Sequence, residues 1–130
     1  MSITIGYDLR FATLPRGGKT ACQLLPTLIN IDPNAHWLIY HNNDCPLQQA
    51  IINDVMHAHN DRIQLREIRS RVLSSTHHIT FLFLNDKFDV YFYLHFDMPI
   101  SVTGVPALIM IYDLYPLVLY RYCSKLNRFI

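Results

Sequence analysis

Charge is scarce in this sequence. Asp, Glu, Lys and Arg make up 16% of its 130 residues, against about 25% in an average globular chain. The 11 basic and 10 acidic residues nearly cancel. A chain with no surplus of one sign has no field to hold it on a nucleic-acid backbone, so nucleic acid is not an expected partner. Cysteine is sparse as well. Cys22, Cys45 and Cys123 are odd in number and follow no CxxC spacing, which argues against a disulfide frame and for reduced thiols in a cytoplasmic setting. No apolar run is long: "ITFLFL" and "VPALIMIY" fall far below the roughly 18 residues of a membrane span. In the N-terminal stretch, Asp8 and Arg10 interrupt any signal-peptide core. A soluble protein is expected.

Glycine is also limiting. Only 4 are present and no GxGxxG occurs. "GKT" at 18–20 echoes a phosphate loop only superficially, because the first glycine of GxxxxGK would fall at Thr13. Seven histidines are present, but their spacing does not make a metal site. His57 and His59, two apart on a helix, turn to different faces, and His77 and His78 are adjacent.

What is abundant is apolar surface, at 51% of residues, enough for one buried core in a single domain over 1–130. "SITIGY" (2–7) is a β-branched strand, and "DLRFATLPRGG" after it is a loop with Pro and paired glycines. In "KTACQLLPTLINID" (19–32), Ala21, Leu24, Leu25, Leu28 and Ile31 recur at helical spacing, with Pro26 inside. "HWLIYH" (36–41) is a strand, "PLQQAIINDVMHAH" (46–59) a helix opened by Pro, and "RIQLREI" (62–68) a third strand. The segment 70–87 reads both ways and is assigned to helix because a crossover is needed there. "FDVYFYL" (88–94) and "PALIMIY" (106–112) run apolar without alternation, as strands buried on both faces do. A last helix starts near Pro116 and meets no stop signal by Ile130, so the chain reads as truncated. Strands alternating with helices predict an α/β fold: a Rossmann-like open, mostly parallel sheet with helices on both faces.

In such sheets ligands sit beyond the carboxyl ends of the strands. Three groups fall there. Arg16, Gly17 and Gly18 precede a helix, where backbone amides can approach a phosphate or sugar, and the same glycines suit a plain turn. His95 follows the strand 88–94 and has the chemistry of an acid, a base or a hydroxyl partner, or of a solvated loop histidine. Tyr112 and Asp113 end an apolar strand. An acid there belongs at the sheet rim, as a substrate contact or as the cap of the next helix.

With these residues placed, "IGYDLR…RGG" followed by "LLPTL", then "DPNAHWLIYHN", "FDVYFYLHFDMPI" and "VPALIMIYDLYPLVLYRYCSKLNR" resemble the N-terminal domain of family 4 retaining glycosyltransferases of the GT-B fold. The match covers nearly the whole chain. No single motif is specific, whereas their order and spacing are. The resemblance implies a two-domain, sugar-nucleotide-dependent enzyme that transfers a mannosyl- or rhamnosyl-like hexose to a glycan or lipid-linked acceptor. The nucleotide sugar enters as substrate, with no cofactor and no metal. This half would chiefly hold the acceptor, possible peripheral membrane association would follow, and the nucleotide-gripping C-terminal domain is absent from 1–130.

By position, the resemblance makes His95 and Asp113 catalytic and gives Arg16, Gly17, Gly18 and Tyr112 to substrate binding. Three departures stand against it. Family members usually carry His-Asp where this chain has Tyr112-Asp113, often Tyr-His-Ser-Pro where residues 91–94 are Tyr-Phe-Tyr-Leu, and often Gly-x-Gly-Arg-Tyr where residues 16–20 are Arg-Gly-Gly-Lys-Thr. They keep open a second reading, a catalytically silent α/β module that binds a ligand or partner.

Overall fold

The computed structural model describes residues 2–15, 17–43, 45–80, 84, 86–95, 98–99 and 104–112. Five strands, β1 (Thr4–Asp8), β2 (His36–His41), β3 (Ile63–Glu67), β4 (Val90–Tyr93) and β5 (Ala107–Ile109), form one sheet in the order β3-β2-β1-β4-β5. Every pairing is parallel. The expected α/β open sheet is therefore present. Strand order reverses between β1 and β4, which makes the carboxyl ends of those two strands the switch point where ligands of such sheets bind.

Helices α1 (Gly18–Ile31), α2 (Pro46–His59) and α3 (Ser75–Thr80) connect the strands. Pro46 occupies the first turn of α2, where its missing N–H costs nothing. Pro26 lies inside α1 without ending it. The loop after β1 is more ordered than its Pro and Gly content suggests. Residues Leu9–Thr13 wind into a 3₁₀ helix whose cap is the Asp8 carboxylate, which accepts the Arg10 N–H at 3.2 Å.

Register assigns the two sheet faces. Tyr7, Trp37, Ile39 and Phe92 share the face beneath α1, where the Tyr7 hydroxyl donates to the Ala21 carbonyl at 2.8 Å. Gly6, Asp8, Tyr40, Tyr91 and Tyr93 share the other, toward His77 of α3. That second face is a layer of rings: Phe88 stacks on Tyr91 at 5.2 Å and Tyr91 on Tyr93 at 5.7 Å. Gly6 is what lets the layer lie across β1. A Cβ there would stand 2.9 Å from the Tyr91 ring and 3.2 Å from Phe88.

Two expectations change at the far side of the sheet. Strand 106–112 was expected to be buried on both faces, yet β5 is the sheet edge, bonded to β4 alone among the described strands. Leu108 and Ile109 are 55% and 41% exposed, because an edge strand of three residues has a neighbour on one flank only. Among the described residues of 70–87, helix is found in α3, preceded by Leu73, whose φ of 60° is a left-handed conformation that stops a helix. The helix expected from Pro116 lies outside the described residues. Among the described residues no helix is long and apolar enough to cross a membrane.

Gly6→Ala should destabilise the fold by about 1–3 kcal/mol through overpacking. A lowered urea midpoint at unchanged slope is the expected readout, and a midpoint equal to that of the parent protein would contradict the ring-layer account.

Candidate functional site

The carboxyl edge is organised around a charge pair placed where no water reaches. Asp8 ends β1 and Arg10 lies in the 3₁₀ turn after it; both are fully buried. Two charges in the interior cost several kcal/mol each in lost hydration unless every donor and acceptor is matched. Here they are matched. Arg10 Nε and Nη2 donate to the two Asp8 oxygens at 2.9 and 2.5 Å, Nη1 donates to the carbonyl and hydroxyl of Ser70 at 3.1 Å each, and the remaining Nη2 hydrogen meets His77 Nδ1 at 3.1 Å. Burial opposes the charge on Arg10, and the Asp8 carboxylate outweighs it, leaving the guanidinium pKa raised.

This geometry fixes a proton. A guanidinium only donates, so His77 Nδ1 must accept, and the neutral ring carries its hydrogen on Nε2, 2.5 Å from the Tyr93 hydroxyl. Tyr91 adds a hydroxyl to Asp8 Oδ2 at 3.2 Å. Burial, and then Asp8, pushes the Tyr91 phenol well above its ordinary range. The network thus joins the end of β1, the loop after β3, α3 and the end of β4. Sequence reading takes Asp8 and Arg10 only as charges that interrupt a signal-peptide core, and His77 only as one of two adjacent histidines unsuited to a metal, and gives none of them a place in a site. The available signal was an acid and a base two residues apart at the end of an apolar strand.

Above this floor stand several of the residues predicted from sequence. Gly17 is the N-cap of α1 with φ +83°, a left-handed conformation that favours glycine. Tyr112 packs directly over it: a Cβ on Gly17 would lie 3.1–3.2 Å from the phenol ring and hydroxyl. The Tyr112 hydroxyl hydrogen-bonds the Thr20 side chain, while partial burial raises its pKa. Gly18 is required by contact, since a Cβ there would stand 2.7 Å from the Ala12 carbonyl oxygen. His95 follows β4 and stacks on Phe11 at 5.7 Å, with an interplanar angle of 19°. Phe11 in turn meets Tyr93 edge-on at 4.9 Å.

Gly17, Gly18 and Tyr112 are therefore neighbours, and His95 joins the same edge through Phe11 in the turn that leads to the glycines. Arg16 and Asp113 lie outside the described residues. The N-cap of α1 is a glycine and so supplies no side-chain acceptor to the first-turn amides, which at such a helix start look for one elsewhere. Among the described residues no three His, Cys, Asp or Glu side chains gather to hold a metal ion.

One more titratable group sits at this edge. His41 ends β2 on the α1 side of the sheet, only 8% exposed, and its Nδ1 has no hydrogen-bond partner among the described residues. Burial lowers its pKa, with Glu67, its register partner on β3, opposing.

Removing one half of the buried pair should be severe. Arg10→Met strands the Asp8 carboxylate and is expected to cost about 3–5 kcal/mol, whereas the double variant Asp8→Leu/Arg10→Met should recover much of the loss. Chemical denaturation of the three proteins is the check, and additive single and double losses would contradict the coupling. For His41, the folded state binds fewer protons than the unfolded chain between its depressed pKa and about 6.5. Stability should therefore fall as pH drops through about 6.5 and level off below the folded pKa. His41→Gln should flatten that part of the profile in urea melts at successive pH values; an unchanged slope would show that His41 does not contribute.

Comparison with known proteins adds no relative: no family model, no curated protein and no solved structure matches this chain.

Proposed function

We propose that this chain is the acceptor-side, N-terminal part of a sugar-nucleotide-dependent glycosyltransferase of the GT-B type, handing a mannosyl- or rhamnosyl-like hexose to a glycan or lipid-linked acceptor. The observation that carries the reading is Gly17. A left-handed glycine heads α1 after the first strand of an all-parallel sheet, at the switch point, beside first-turn amides that its own side chain cannot cap. Backbone N–H groups in that position suit the oxygens of a diphosphate, and the helix dipole favours the negative charge that develops on a leaving nucleotide.

In this reading His95, seated on Phe11, and Asp113 are the catalytic groups that assist proton transfer from an acceptor hydroxyl, and Tyr112 contacts the sugar. A nucleotide-gripping half facing this edge would complete the pocket. Turnover accordingly belongs to a chain or complex that also contains the nucleotide-binding half.

One observation favours the second reading, a silent binding module. The Tyr112 ring covers Gly17 at contact distance, in the place where family members usually carry a smaller imidazole, so the glycine is screened from an incoming diphosphate. The two readings separate by titration. With ¹⁵N-labelled protein and a panel of uridine- and guanosine-diphosphate hexoses, the enzyme reading expects weak, saturable amide shifts at Gly17, Gly18, His95 and Tyr112. Tyr112→His should strengthen them. Silence at all four amides across the panel, in both proteins, would leave the binding-module reading in its place.

A further inference from the structure

The carboxyl edge has a second concavity, on the other flank of the 3₁₀ turn. It is a cleft of about 390 Å³ lined by Thr13, Leu14, Asn42, Arg71 and Val72, within the roughly 300–1,000 Å³ typical of small-molecule sites. Its walls come from the segments that follow β1, β2 and β3, so it opens on the side of the sheet where ligands of parallel folds sit. A larger cleft of about 580 Å³ lies at the opposite, amino edge around Asn34, His36 and Arg62. There Arg62 is already committed to the carbonyls of Asp32 and Ala35.

Asn42 gives the smaller cleft its chemistry. The residue is 4% exposed and is clamped by the fully buried Gln48. The Asn42 backbone N–H donates to Gln48 Oε1 at 3.1 Å, which fixes the orientation of the glutamine amide. Gln48 Nε2 must then donate, at 2.8 Å, and what it meets on Asn42 is the oxygen Oδ1. The Asn42 Nδ2 group is left with no acceptor among the described residues, in a side chain held rigid at the cleft wall. That nitrogen is not sealed from solvent, so it faces the open cleft, where a ligand oxygen can take the place of water.

The remaining walls specify the ligand further. Arg71 is exposed, and among the described residues it forms no ion pair with a carboxylate and no acid lines the cleft. Thr13 spends its hydroxyl hydrogen on the Arg10 carbonyl at 2.9 Å, so its oxygen offers only lone pairs, suited to a ligand hydroxyl. Leu14 and Val72 supply apolar wall for carbon atoms. We propose that this cleft binds a phosphate monoester of a small polyol, with the oxyanion held by Arg71 and the Asn42 amide, a hydroxyl donating to Thr13, and the carbon chain against Leu14 and Val72. Neither Gly17 nor Tyr112 is in its lining, and the site does not depend on the glycosyltransferase reading.

The test is a ¹⁵N titration of the 130-residue chain with glucose 6-phosphate, inorganic phosphate and glucose. Saturable shifts at Leu14, Asn42 and Val72 are expected with the sugar phosphate, weaker ones with inorganic phosphate and none with glucose. Arg71→Ala, a surface change that leaves the fold intact by circular dichroism, should weaken sugar-phosphate binding at least about tenfold, and Arg71→Lys should restore part of it. Undiminished binding by Arg71→Ala, or shifts confined to residues outside the cleft, would overturn the site. Equal affinity for inorganic phosphate and the sugar phosphate would overturn its polyol half. Nucleotide sugars report on Gly17 and Tyr112 instead, so failure of one reading is distinguishable from failure of the other.

Discussion

Everything at the carboxyl edge of this sheet hangs on the pairing of Asp8 with Arg10. A guanidinium sealed from water is tolerated only because five acceptors surround it, and those acceptors come from segments far apart in the chain. Satisfying one charge thus forces the turn after β1, the Ser70 loop and α3 into fixed relation. A hydrophobic contact could bring the same segments together, but it would not dictate their mutual orientation, because it has no direction. The loops that carry Gly17, Gly18 and Arg71 extend from this fixed point.

The fold was largely legible in the sequence, and the reasons are local. His36–His41 and Pro46–His59 were bounded by turn chemistry and by a proline at a helix start, and both elements keep those limits. Parallel order followed from the alternation of strands and helices. What escaped the reading was set by distant partners. Asp8 extends β1 by one residue beyond the apolar run because Arg10 neutralises it in place. A one-dimensional pattern of hydrophobicity marks such an acid as a strand terminator. The segment 70–87 was ambiguous for a related reason: its helix is stopped at one end by the backbone of Leu73, a residue whose type gives no hint of a left-handed conformation.

The candidate site was legible in part. A glycine pair between a strand and a helix announces a tight approach, and Gly17 and Gly18 make one each, to the Tyr112 ring and to the Ala12 carbonyl. Asn42 and Gln48 could not have been paired from sequence as a clamp, since the five intervening residues reveal nothing of their amide orientations. Polar specificity on this edge arises from geometry that buried hydrogen bonds impose, and such bonds leave little trace in composition. The buried tyrosines illustrate the same point. Tyr40 and Tyr91 read as strand formers, yet burial and the nearby carboxylates of Asp86 and Asp8 push both phenols upward, so they serve as fixed hydroxyl donors in the interior.

The sheet also carries its own optical reporter. The chain has a single tryptophan, and Trp37 is 3% exposed in the middle strand of the β3-β2-β1 half, its ring edge-on to Tyr7 at 6.3 Å. Indole emission from that environment lies toward the blue and draws excitation energy from the surrounding phenols. Loss of the sheet would redden the emission and end the transfer together, so one unlabelled fluorescence trace follows the packing of α1 on β1 and β2 directly.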